Sequence, residues 1–85
     1  MLQLNDFEIV LNKNCPHIKI EYRYVDKSNM YCIYLFDEGF IGLHFFIKQN
    51  DQYIEINNTL VNSLTEAIEN INNYIKWTNI ELKAC

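Results

Sequence analysis

Arginine occurs once in this chain of 85 residues, proline once and glycine twice. Each scarcity excludes something. Neutralising nucleic-acid phosphate takes clustered Lys and Arg, and the seven basic residues here are scattered through a chain of net charge −4, so direct DNA or RNA binding is not expected. The opposite idea, mimicry of DNA, needs a dense acidic stripe, whereas these acids are interspersed with Asn and Lys. With so little Gly and Pro no flexible linker divides the sequence, and residues 1–85 read as a single domain. No apolar run approaches the roughly 20 residues of a membrane span. The opening MLQLNDFEIV lacks the basic-then-apolar order of a secretory signal. Three cysteines, an odd number with no C-x-x-C, do not suggest a disulfide framework. A reduced, cytoplasmic protein with no membrane partner is expected.

Catalytic signatures are missing as well. There is no G-x-S-x-G, H-E-x-x-H or Walker-type pattern, and Gly39 and Gly42 form no phosphate-cradling loop. No cofactor, no catalytic residue and no metal are expected. Cys15, His17, Cys32 and His44 invite a zinc count. However, His17 lies six residues along its strand from Arg23, the residue expected opposite Cys32, a separation of roughly 20 Å. Cys32 and His44 are expected as cross-strand neighbours, which allows a thiolate–imidazole dyad. A flat sheet face offers such a dyad neither cleft nor oxyanion donors, so a cysteine-dependent enzyme is the disfavoured alternative.

What the sequence does have is apolar mass, 49% of the chain with 14% aromatic, enough for a compact core. Ser63-Leu64-Thr65-Glu66 reads as a capping box. Behind it Leu64, Ala67, Ile68, Ile71, Tyr74 and Ile75 recur at helical spacing, predicting one amphipathic helix over about 63–77 with a single apolar stripe. Trp77 is expected to close the core at its end. Upstream, HIKIEYRYV alternates, and MYCIYLF, FIGLHFFIK and YIEIN follow, separated by the turns DKSN, DEG and QNDQ. NDFEIVLNKN fits either a short helix or a strand, with the strand preferred. The fold class is therefore α+β: an antiparallel meander of four to five strands with the C-terminal helix on one face.

Loop lengths set a register. Pairing Phe36 with Phe40, Val25 with Met30 and Lys48 with Tyr53 places Ile18, Ile20, Tyr22, Tyr24, Tyr31, Ile33, Leu35, Ile41, Leu43, Phe45, Ile47, Ile54 and Ile56 on one face. Three independent turns agree on it, and a slip of one residue would exchange the faces. That face takes the helix. The opposite face then carries Met30, Tyr34, Phe36, Phe40, His44, Phe46 and Tyr53, rimmed by Lys19, Glu21, Arg23, Lys48 and Glu55. Left bare, it would present roughly 300–500 Å² of apolar surface, the upper end of what a monomer tolerates. Either the chain covers it with residues 1–14 or with the tail after Trp77 (Ile80, Leu82), or a partner or a small apolar ligand does. An aromatic centre inside a charged rim has the composition of a protein interface. The partner-binding candidates are Met30, Tyr34, Phe36, Phe40, His44, Phe46 and Tyr53, with Glu66 and Glu69 on the helix back as a further surface for a basic protein. The sheet edges are also open to strand addition.

In size, acidity and lack of catalytic motif the chain resembles the small inhibitors made by phages and mobile elements, such as anti-CRISPR proteins and toxin-neutralising immunity proteins. The likeness is one of overall character and transfers no residue. It implies a non-enzymatic protein-binding module that inhibits or neutralises a larger protein. The alternative use of the same face is a structural homodimer.

Overall fold

Among the described residues five antiparallel strands follow one another in chain order across one sheet, and a single α-helix lies on one side of it. The computed structural model describes residues 1–11 and 14–84, the side chains of 79–84 excepted. A 3₁₀ turn (Leu4–Asp6) leads into β1 (Glu8–Val10), β2 (Ile18–Asp26), β3 (Asn29–Phe36), β4 (Ile41–Gln49), β5 (Gln52–Val61) and α1 (Leu64–Ala84). The sheet order is β1-β2-β3-β4-β5, the meander expected from the alternating runs. Among the described residues no helix is long and apolar enough to cross a membrane.

Tight turns hold the register. Asn50 and Asp51 both take left-handed φ, 52° and 64°, as a two-residue hairpin turn between twisted strands requires. Gly39 supplies φ 94° in the β3–β4 turn, where Phe36 N–H donates to the Phe40 carbonyl at 2.9 Å. The β3–β4 pairs Tyr31↔Phe45, Ile33↔Leu43 and Leu35↔Ile41, and the β2–β3 pairs Ile20↔Leu35, Tyr22↔Ile33 and Tyr24↔Tyr31, are those read from loop length.

On the resulting first face, Tyr31, Ile33, Leu43, Phe45 and Val61 are buried beneath Ala67 and Ile71 of α1. Tyr74 closes over it, its ring 4.9 Å from Phe45 and 6.1 Å from Tyr31. The Ser63 hydroxyl accepts from Glu66 N–H at 3.1 Å, and the Glu66 carboxylate accepts from Asn62 N–H at 2.7 Å, which satisfies two backbone donors at the start of α1.

Residues 2–7 pack on this same face, and β1 extends the sheet at its edge beside β2. Phe7 is buried in the core against Tyr24, and the Asn72 side-chain amide exchanges two hydrogen bonds with the Leu2 backbone, at 2.9 and 3.0 Å. The ambiguous first segment is thus a 3₁₀ turn and then a short strand, and it wedges beside α1. The possibility that this segment lies across the second face is overturned for the described residues. Ile80 and Leu82, the tail side chains weighed for the same role, lie outside the described residues; their backbone continues α1.

Four further expectations need correction. The pairing of β4 with β5 shifts after Phe46↔Glu55, so Phe45 faces Asn57 where Ile56 was expected. Ile56 is the extra residue of a bulge, and β5 runs on to Val61. A second shift at Lys19 puts Ile18 opposite Phe36, on the second face. Finally, α1 starts at the Val61 end of the sheet and crosses towards Tyr24, which leaves the β4–β5 turn uncovered: Ile54 and Ile56 are exposed. Trp77 is 65% exposed and does not close the core.

Candidate protein-interaction face

Strand alternation delivers the second face, since each residue paired with a core position has neighbours pointing the other way. Met30 stands opposite Phe46, Cys32 opposite His44, Tyr34 opposite Gly42 and Lys48 opposite Tyr53. The rings form one row. Phe36 and Tyr34 are 6.3 Å apart between centroids, Tyr34 meets His44 edge-on at 4.7 Å, and His44 stacks towards Phe46 at 6.4 Å. Gly42 makes this possible: a Cβ there would stand 3.0 Å from the Phe36 ring and 3.2 Å from His44 Nε2. Glycine is otherwise costly inside a strand, and here it gives two rings a floor.

Tyr34, Phe36, His44 and Phe46 are half-buried, largely by one another, while Phe40 is 54% exposed. Seven of the nine sequence candidates therefore share this face: Met30, Tyr34, Phe36, Phe40, His44, Phe46 and Tyr53. Glu66 and Glu69 belong to α1, on the far side of the sheet, and Glu66 is engaged in capping.

The bulge at Ile56 reshapes the margin. It brings Asn58 and Leu60 onto the second face beside Glu55, whose carboxylate pairs with His44 Nδ1 and accepts from Asn58 Nδ2 at 3.2 Å. The hydrogen bond to His44 holds the Glu55 carboxyl below its ordinary value. Leu60, 67% exposed and opposite Gly42, was missed in the sequence because the Asn57-Asn58 pair reads as the end of a strand. With His17, Phe36, Asp37, Glu38 and Phe40 it lines a concavity of about 280 Å³ at the β3–β4 turn.

The β2 flank is closed. Glu21, expected as a solvated rim group, is 1% exposed, and Arg23 Nε and its terminal nitrogen lie 2.7 and 2.6 Å from its carboxylate. Cys32 is buried beside them. Burial pushes the Cys32 thiol up to about 11, against a smaller lowering by its hydrogen bond with Tyr34. Burial likewise raises the Tyr34 phenol, with Cys32 adding to it. Among the described residues no three His, Cys, Asp or Glu side chains gather as metal ligands.

No family model, curated protein or solved structure matches this chain. The functional reading rests on the geometry.

Proposed function

We propose that this protein is a non-enzymatic protein-binding module, an inhibitor or neutraliser that occludes a larger protein with the aromatic face of its sheet. One observation carries the reading: α1 and residues 2–7 pack on one face, while the other carries a row of rings ending in exposed Phe40 and Leu60. Aromatic side chains held in place by their neighbours, inside a charged margin, have the make-up of interface centres. The thiol of Cys32, buried and kept protonated, supports a role without nucleophilic chemistry. Among the described residues Cys15 and Cys32, one exposed and one buried, are both unpaired, which suits the reducing cytoplasm. Size, acidity and binding face together go with the phage and mobile-element inhibitors that the chain resembles.

The test is affinity capture from host lysate with the native chain beside a Phe36→Ser/Phe40→Ser variant. The native chain retains a partner and the variant, still melting cooperatively, does not. Equal retention by both eliminates this face. Sedimentation at micromolar concentration separates a foreign partner from a second copy: a monomer of 10.2 kDa is expected, and a dimer dissociated by the same substitutions would replace the inhibitor reading with self-association.

A further inference from the structure

The concavity at the β3–β4 turn specifies more about the partner than the rest of the face does. Resting on the protein-binding reading above, we infer that it receives an apolar side chain of the partner flanked in sequence by Lys or Arg. Its walls are Phe36, Phe40 and Leu60, and its lip carries Asp37 and Glu38, both exposed. His17 is also in the lining, and among the described residues the lining holds no Lys or Arg. The shift at Lys19 matters here, because it puts Ile18 opposite Phe36 where the lysine would otherwise stand.

At about 280 Å³ the concavity is small, with room for an apolar side chain. The site is also built in advance. Phe36 N–H donates to Phe40 O at 2.9 Å, Gly39 N–H to Phe36 O at 3.0 Å and Asp37 N–H to His17 O at 3.0 Å, so the turn and the start of β2 are tied together. The Phe36 ring lies over Gly42. A preformed apolar pocket costs little ordering when filled, and such pockets receive the residues that dominate interfaces. Two carboxylates beside it favour a cation next to the anchor and repel an acid there, giving specificity and faster encounter at low salt.

Blocked tripeptides test this directly. Isotope-labelled protein is titrated with Ac-Arg-Phe-Arg-NH2, Ac-Glu-Phe-Glu-NH2 and Ac-Arg-Ser-Arg-NH2, following backbone amides by NMR. The expected result is millimolar binding of the first peptide, with shifts at Gly39, Phe40 and Leu60, and weaker binding of the other two by about fivefold or more. An Asp37→Asn/Glu38→Gln variant is expected to erase the preference for Arg over Glu while still binding the phenylalanine. Absence of binding, equal response to all three peptides, shifts away from the turn, or a preference that survives in this variant would each overturn the inference. Lysate capture separates this failure from that of the functional reading. Capture that is lost with Phe36→Ser/Phe40→Ser but unaffected by Asp37→Asn/Glu38→Gln leaves the binding face standing and removes the cationic partner.

Discussion

Cys32 and His44 are cross-strand neighbours at the centre of the aromatic face, yet each is committed elsewhere. The thiol is buried and pushed up to about 11, and the imidazole pairs with Glu55 while meeting Tyr34 edge-on. Alkylation by iodoacetamide near pH 8 should therefore modify exposed Cys15 readily and Cys32 about a hundredfold more slowly, because only the thiolate reacts. Peptide mapping by mass spectrometry reads the two sites separately, and a Cys32 as fast as Cys15 would reopen the dyad. Glu55 gives a second outcome. Its carboxyl ionises below the ordinary 4.5, so the folded state resists a proton that the unfolded chain accepts. Its contribution is full above that value and is lost as pH falls through the lower native one. Glu55→Gln should reduce stability at neutral pH by less than about 1 kcal/mol, since Glu55 is exposed, and should flatten the acid limb. Urea midpoints at neutral and acid pH check both.

Between elements, what could be read in advance depended on whether polarity alternated with the pleat. β2, β3 and β4 alternate or are joined by turns of two to four residues, so one pairing satisfies most of them, and the observed partners agree from Ile20↔Leu35 to Val25↔Met30 and throughout β3–β4, the shift at Lys19 excepted. The bulges were not legible. Around Ile56 the neighbours Glu55, Asn57 and Asn58 are polar on both sides, and no hydrophobic pattern distinguishes the two registers. Leu60 was lost with them, and with it one wall of the turn concavity. The helix was legible from its cap and stripe but not its direction across the sheet, which depends on the wedge of Leu2 and Phe7 beside it. With the β4–β5 turn left uncovered, Ile54, apolar enough for a core, stays in water. The cap itself can be tested: Ser63→Ala should cost about 1 kcal/mol in urea unfolding, the usual contribution of a side chain satisfying a first-turn N–H.

At the scale of the molecule, the extents of 42 × 30 × 21 Å are those of two layers, one sheet and one helix. The radius of gyration, 13.2 Å, slightly exceeds the about 12 Å of a compact chain of this length, as a flat, one-sided core implies. A domain this small holds only about 4–13 kcal/mol of stability, so side chains that belong to its own core declare themselves when removed. This bears on the central claim, that the second face is held out for a partner. The measurement that tests it most directly is the unfolding free energy of a Phe40→Ser/Leu60→Ser variant in urea. The prediction is a change within about 1 kcal/mol of the native chain and an unchanged denaturant slope, as for surface positions. A loss of about 3 kcal/mol or more would mark these side chains as the protein's own core and contradict the account.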